Sequence, residues 1–357
     1  MQRKKILLWL FLIAVSQIMF CGTASEKEGQ MVNFQPEGKT LDEILTMIKA
    51  SGKTGMLFFT ADWCGPCNAL IKQVFKDEKA GEYIESNFIL FWIEFEKSTS
   101  TALAKHYNVR GLPTVVLINT DGEVIDKLGG YSSGPPEKYI ERLNKSIEAG
   151  NSILELKAEY EANPENIEKA LRFADKMMFA DNMNYALPIY EDLKDKVKDD
   201  SLRSQIYSYL AAGYERNDNL NKAIEVLENG LDKRVFKDEK DIIYCKLGNL
   251  FYRRGQLKQR NKIQTYKVDY VSATKYYEML PKELEDFKLY KKSENYKGYI
   301  NFEFSRAQLN FPAAYFSAGY KEKGTALFEK MFSEAYEEKN YSKISSILYR
   351  CEDNEIY

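Results

Sequence analysis

Two cysteines separated by two residues, Cys64 and Cys67, are the residues of this chain best suited to covalent chemistry. They lie in the segment Trp63-Cys64-Gly65-Pro66-Cys67, between a continuous apolar run and a helical pattern. A cysteine at a helix N-terminus feels unpaired backbone N–H groups and the positive end of the helix dipole, which lower its pKa. We therefore expect Cys64 to be the more exposed thiol and the nucleophile that forms a mixed disulfide, which Cys67 then resolves.

The same pair could supply half of a zinc site, but zinc needs four ligands. The sequence has no second C-x-x-C pair, and His106 is its single histidine, which also disfavours His-dependent catalysis. A purely structural disulfide is disfavoured too, because so short a loop adds little stability. We predict no metal and no organic cofactor, so that the redox-active disulfide Cys64–Cys67 carries the electrons.

Helices and strands alternate around the cysteine pair. A helix begins at Thr40, where Thr40 and Glu43 have the spacing of a capping box. The final helix begins at Pro136, and the predicted strands are residues 56–60, 88–95, 115–118 and 123–128. Strands separated by helices imply parallel crossovers, and the tight turn at Asp121-Gly122 adds an antiparallel edge strand. The sequence therefore predicts a three-layer α/β sandwich over residues 36–149.

Two motifs in residues 40–148 resemble the thioredoxin superfamily: Trp63-Cys64-Gly65-Pro66-Cys67 and Gly111-Leu112-Pro113-Thr114. The resemblance implies that Pro113 is a cis-proline packed against the active-site disulfide. It also implies that the backbone of Leu112 pairs with a bound substrate peptide. We assign substrate binding as well to the residues around the cysteines, namely Trp63, Gly65 and Pro66.

The resemblance further implies a thiol–disulfide oxidoreductase that acts on disulfide or thiol client proteins and needs a redox donor protein. One position departs from cytosolic thioredoxins, which carry a buried Asp six residues before the first cysteine, where this chain has Phe58. Glu94 on the neighbouring strand is a candidate replacement, and a solvated carboxylate at the strand end is the alternative. The Gly-Pro pair between the cysteines resembles reductants, while an oxidase or isomerase stays an alternative.

After Ala149 strand-like runs give way to amphipathic helical patterns. Small and large residues four positions apart recur at Ala186 with Tyr190 and at Ala223 with Leu227. This pattern is typical of tetratricopeptide hairpins, so we predict an all-α, tetratricopeptide-like domain over residues 150–357 that binds a protein partner. The alternative function is a non-catalytic scaffold acting through these repeats, but such a protein would not need both thiols.

The first 24 residues have the pattern of an export signal, with a basic start, an apolar core and small residues before a cleavage point after Ala24. Residues 25–35 would form a flexible lead-in. An uncleaved anchor and lipidation at Cys21 are the alternatives, and only these two would attach the chain to a membrane. All three place the protein in the periplasm or another extracytoplasmic space of the envelope.

The composition is that of a globular protein, with 44% hydrophobic and 29% charged residues. The 357 residues suggest about two domains at roughly 150 residues each. The net charge of −2 gives no reason to expect a nucleic-acid partner. Cys245 and Cys351 either pair or remain as two buried thiols, and the second state is favoured because cysteine packs well as a small hydrophobic residue.

Overall fold

The computed structural model describes residues 32–287 and 294–353, in two compact units that divide between Glu155 and Leu156. The first unit contains a β-sheet with helices, and the second is built from helices. The predicted order, an α/β fold followed by helices, is confirmed. The predicted signal peptide and most of the lead-in lie outside the described residues.

Within the described ranges, none of the helices is both long and apolar enough to cross a lipid bilayer.

The sheet of the first unit has five strands in the order β1-β3-β2-β4-β5. The strands are β1 (Phe34–Gln35), β2 (Thr54–Thr60), β3 (Phe88–Glu94), β4 (Thr114–Ile118) and β5 (Val124–Gly129). Strand β3 runs parallel to β1 and β2, whereas β4 runs antiparallel to β2, and β5 antiparallel to β4. The central strand β2 is almost wholly buried, as its continuous apolar sequence predicts.

Two details of the sheet differ from the sequence prediction. Strand β4 was expected to be parallel to β2, but Thr114 begins β4 opposite Phe59, near the end of β2. The chain thus re-enters the sheet beside the carboxyl ends of β2 and β3. Strand β4 must therefore run antiparallel to β2. The short strand β1 lies in the segment predicted as a flexible lead-in, and two residues are too few to show strand periodicity.

Helices cover both faces of this sheet, which confirms the three-layer sandwich. The helices are α1 (Leu41–Ser51), α2 (Gly65–Leu70), a π-helix (Ile71–Phe75), α3 (Glu78–Asn87), α4 (Ser98–His106) and α5 (Pro136–Ile147). Helices α1 and α4 pack on the face that contains Leu57 and Phe59. The cysteine pair, the π-helix, α3 and α5 share the core around Met56 and Phe58. The capping box at Thr40 is present, since its hydroxyl accepts from the Glu43 N–H and the Glu43 carboxylate from the Thr40 N–H.

The helices of the second unit form consecutive hairpins. They are α6 (Ile153–Ala162, which begins before the division), α7 (Ile167–Phe179), α8 (Met183–Leu193), α9 (Asp200–Arg216), α10 (Leu220–Asp232), α11 (Lys240–Arg260), α12 (Tyr266–Tyr277), α13 (Glu294–Ala318), α14 (Lys321–Glu337) and α15 (Tyr341–Asp353). A 3-10 turn spans Leu284–Asp286. Ala186 and Ala223 are fully buried, as the small–large pattern requires. The assignment of these hairpins to tetratricopeptide repeats stays a prediction.

The thiols of the second unit, Cys245 and Cys351, are both buried and unpaired with each other. Burial raises the pKa of the Cys351 thiol and, more strongly, that of Cys245. The structure therefore has two buried free thiols, as expected.

Two helical glycines provide a test of how tightly the hairpins pack. Gly248 lies inside α11, where an added Cβ would overlap the ring of Tyr277 on α12, whereas Gly298 in α13 faces open space. We expect Gly248→Ala to lower the free energy of unfolding by about 1–3 kcal/mol through overpacking. Gly298→Ala, the matched control, should raise it by about 0.5–1 kcal/mol through helix propensity. Urea unfolding followed by the helical circular dichroism signal measures both, and equal effects would contradict the close packing.

Candidate active site

The two cysteines flank the first turn of the helix that follows the central strand. Cys64 is the N-cap of α2, with φ −81° and ψ 97°, and its Sγ accepts a hydrogen bond from the Cys67 N–H at 3.2 Å. Its carbonyl accepts from the Asn68 N–H at 3.1 Å. Pro66 occupies the first turn, where its missing N–H costs nothing and its fixed φ suits a helix. The sequence therefore folds locally so that Cys64 begins the helix.

Cys64 and Cys67 form a disulfide, with their Cα atoms 5.2 Å apart. Cys64 is 3% exposed and Cys67 fully buried, so the expected difference in exposure is present but small in the oxidised state. The residues around them are open to solvent, namely Trp63, Gly65 and Pro66. The disulfide therefore lies directly beside exposed surface.

Leu112 and Pro113 lie at the same edge of the sheet. Because Thr114 pairs with Phe59, the residues just before β4 stand beside the end of β2, which leads into the cysteine segment. The Leu112–Pro113 bond is cis, as the resemblance implies. Leu112 packs against the core cluster that contains both cysteines. The structure thus brings all of the predicted site residues to one edge, while their roles in substrate binding stay predictions.

Glu96 is a site residue that the sequence analysis missed. The indole Nε1–H of Trp63 donates to its Oε1 at 2.7 Å, which fixes a side chain that is 67% exposed. Strand register explains the contact, because Thr60 pairs with Glu94 and the residues that follow these strands are therefore neighbours. The sequence predicts that β2 and β3 are parallel. That pairing could have identified Glu96 as a neighbour of the cysteine segment.

Behind the disulfide lies a cluster of four aromatic rings rather than a carboxylate. The Phe58 ring is fully buried, 5.1 Å from Phe75 and 5.3 Å from Trp92 between centroids, in edge-to-face contacts. Phe34 closes the cluster against Trp92 at 5.2 Å. The same core contains Cys64 and Cys67. Such surroundings favour neutral groups, because burial in an apolar environment disfavours a charge.

Glu94 lies at the margin of this cluster. It ends β3 on the same face as Trp92 and is half-buried, with its Oε2 3.5 Å from the Trp92 indole nitrogen. It is therefore neither fully solvated nor enclosed as the buried Asp of cytosolic thioredoxins is.

The rim of the site is acidic. Lys97 pairs with Glu37, and this hydrogen bond, with the nearby carboxylates of Glu94 and Asp62, holds the pKa of the Lys97 ammonium above its usual range. Glu96 adds a further carboxylate beside Trp63. Carboxylates therefore lie beside Trp63 and around the Lys97 ammonium.

In residues 32–287 and 294–353, no three His, Cys, Asp or Glu side chains come together as a metal site. His106 stacks edge-on against Tyr107. The lack of a metal or organic cofactor stays a prediction.

Comparison with known proteins agrees with the fold of the first unit. The family model of the thioredoxin-like domain matches residues 41–147, so the predicted family of this region is confirmed. The thiol:disulfide interchange protein DsbD of Yersinia pestis (strain Pestoides F) is 29% identical over 107 residues, which are 30% of this chain and 18% of that protein. DsbD of Escherichia coli (strain K12) is 33% identical over 87 residues, covering 24% and 15% of the two chains. The chain thus spans less than a fifth of the length of these relatives.

Among solved structures, a thioredoxin from Thermus thermophilus is 24% identical, with a TM-score of 0.28. The match covers 31% of this chain and 86% of that one.

The aromatic cluster predicts how the interior responds to a charge. Phe58→Asp should bury a carboxyl without a partner, which raises its pKa in the folded state. The folded chain then binds more protons than the unfolded chain, so stability falls as pH rises above the unfolded value of about 3.9. Phe58→Asn is the control, because the Asn side chain has nearly the same shape as Asp but does not titrate. The difference in free energy of unfolding between the two variants should grow from pH 4 to pH 7 by roughly 1–4 kcal/mol.

Urea unfolding of the oxidised chain at a series of pH values measures this difference. A difference between the Asp and Asn variants that does not change with pH would show that the Phe58 position admits solvent.

Proposed function

We propose that this protein is a thiol–disulfide oxidoreductase of the cell envelope that reduces disulfides in client proteins. The observation that carries the proposal is the Cys64–Cys67 disulfide at a helix start, beside the exposed residues Trp63 and Pro66. The curated relatives of this region are named as thiol:disulfide interchange proteins, which supports the same reaction type. The envelope location rests on the export pattern of the first 24 residues.

The reaction would proceed in two exchanges. In the reduced enzyme the Cys64 thiolate attacks one sulfur of a client disulfide, and the other client sulfur leaves as a thiolate that takes up a proton. The Cys67 thiol then loses its proton and attacks Cys64 Sγ, which forms the Cys64–Cys67 disulfide and releases the second client thiol. The client gains two electrons and two protons, and a dithiol donor protein must restore the enzyme.

The surroundings of the pair support a reductant. A dithiol–disulfide couple becomes oxidising when its protein stabilises the reduced form, above all as a thiolate. Here Cys67 is enclosed in an apolar core with Phe58, and the rim beyond Cys64 carries the carboxylates of Asp62 and Glu96. Both features disfavour a negative charge and so favour the neutral disulfide. They oppose the N-terminus of α2, which stabilises the Cys64 thiolate. The reduced enzyme would therefore give up its electrons readily.

The helical unit would recruit a client or the donor protein. Its consecutive helical hairpins provide an extended surface of the kind that repeat proteins use to bind partners. The proposed partners are proteins, and no nucleic-acid contact is proposed.

Single-cysteine variants test the exchange mechanism. With a disulfide-bonded model substrate such as insulin, Cys67→Ser should accumulate a mixed disulfide through Cys64, because the resolving thiol is gone. Cys64→Ser should form none, and both variants should lose catalysed reduction of the substrate. Non-reducing electrophoresis and mass spectrometry identify the trapped species. Trapping through Cys67 in the Cys64→Ser chain would reverse the assigned roles.

The direction of exchange is tested by the equilibrium reduction potential of the pair, titrated against glutathione. We expect a potential below the glutathione couple, at about −230 mV or lower, with Cys245→Ser as a control that leaves it unchanged. A potential near that of strong oxidants, at about −120 mV, would favour the oxidase or isomerase alternative. If the natural chain shows no two-electron couple beyond that of the Cys64→Ser variant, the redox proposal fails and the helical unit becomes the candidate functional part.

A further inference from the structure

The helical unit contains a cavity lined by arginines. It has a volume of about 410 Å³ and lies between α11, α13 and α15. Its polar lining includes four arginines and two asparagines: Arg253, Arg260, Arg306, Arg350, Asn249 and Asn310. Within the described part of the chain, no acidic side chain lines it.

The periodicity of the α-helix explains why these residues lie together. Asn249, Arg253, Gln256 and Arg260 follow one another on α11 at intervals of three or four residues, which places them on one face. Arg306 and Asn310 have the same relation on α13. Arg350 reaches the cavity from α15, with its guanidinium 5.7 Å from the centre of the Tyr252 ring.

The floor of the cavity is a fixed polar network. The buried Asn249 donates from Nδ2 to the Glu303 carboxylate at 2.9 Å and accepts from the Tyr277 hydroxyl at 2.9 Å. Asn310 donates to the same Asn249 oxygen at 3.1 Å. These bonds hold both amides in place.

One buried acceptor of this network remains unused. Asn310 is 5% exposed, and its Oδ1 has no hydrogen-bond partner among the described residues. An unpaired buried polar atom costs free energy unless a bound molecule or water satisfies it. The atom is itself enclosed by protein atoms, so it adds to the cost of this network and is not a contact for a ligand.

The guanidinium groups differ in how they are held. Arg253 pairs with Glu215 and Asp218, and Arg306 lies 3.7 Å from Glu303. These three carboxylates lie outside the cavity lining and orient the guanidinium groups of Arg253 and Arg306. Within residues 32–287 and 294–353, Arg260 has no carboxylate partner in an ion pair. The lining thus contains at least one guanidinium, that of Arg260, whose charge no carboxylate of the described residues pairs with.

We propose that this cavity binds a small organic anion that carries two or more carboxylate or phosphate groups. A guanidinium presents a planar fork of N–H donors that matches the oxygens of both groups. The volume is in the range of small-molecule sites, about 300–1,000 Å³. Leu257 and Leu309 add apolar surface to the lining, which suits an organic skeleton rather than a bare ion. The proposal does not depend on the redox chemistry of the cysteines.

Isothermal titration calorimetry of the full chain tests the site, with citrate as the carboxylate probe and inorganic pyrophosphate as the phosphate probe. Arg260→Gln and Arg350→Gln should each weaken binding about tenfold or more, because each removes a charged donor. Arg172→Gln is the matched control. It removes the same charge from α7, where Arg172 pairs with Glu159 outside the cavity.

Binding of either probe alone, or of both, with this pattern of variants supports the proposal and identifies the anionic group. Gln256→Glu provides a second variant at a half-buried position, where an added carboxylate should repel the anion without loss of the fold. No saturable binding of either probe, unchanged binding in the arginine variants, or an equal loss in Arg172→Gln would each overturn it. Cys64→Ser should bind both probes as the natural chain does, so failure here is separate from failure of the proposed redox function.

Discussion

The hydrogen-bond register of β2 with its two neighbours is the constraint on which the redox site depends. Thr60 opposite Glu94 and Phe59 opposite Thr114 bring three chain segments to one edge of the sheet. One segment carries the cysteines, one carries Glu96 and one carries Pro113. A slip of one residue would turn every side chain of β2 to the other face and remove Phe58 from the cysteine core. The apolar pattern of β2 cannot prevent this slip, because the strand is buried on both faces. The partners on the two faces therefore fix the register.

Those partners also form the surroundings of the cysteines. The face of β2 toward the cysteines is filled by Phe58 with Phe34, Phe75 and Trp92, whose edge-to-face contacts give the site a rigid apolar base. The phenyl ring of Phe58 occupies this base, and the carboxylate of Glu94 lies at its margin beside Trp92. The cysteines therefore lie against a rigid apolar surface.

Local patterns allowed much of this unit to be predicted, and long-range pairing accounts for most of what was missed. The cysteine motif, the capping box at Thr40 and the buried run of β2 are encoded within a few adjacent residues. The direction of β4 depends on where the chain re-enters the sheet, which no local pattern records. Glu96 looks like any surface glutamate until the register places it beside Trp63. The arginines of the cavity lie on three helices that are not consecutive in the chain, so the sequence shows them as unrelated cations.

The interior of the helical unit contains a hydrogen-bonded network of buried polar side chains. Asn249, Glu303, Tyr277 and Asn310 form a buried hydrogen-bonded group where apolar residues would satisfy packing at lower cost. A buried network of this kind is stabilising only when its members are satisfied, and it fixes the relative register of the helices that carry them. Here the network joins α11, α12 and α13 directly beneath the arginine cavity. Because the same bonds that align these helices also orient Asn310 toward the cavity, the shape of the cavity and the packing of the helices are set by one group of contacts.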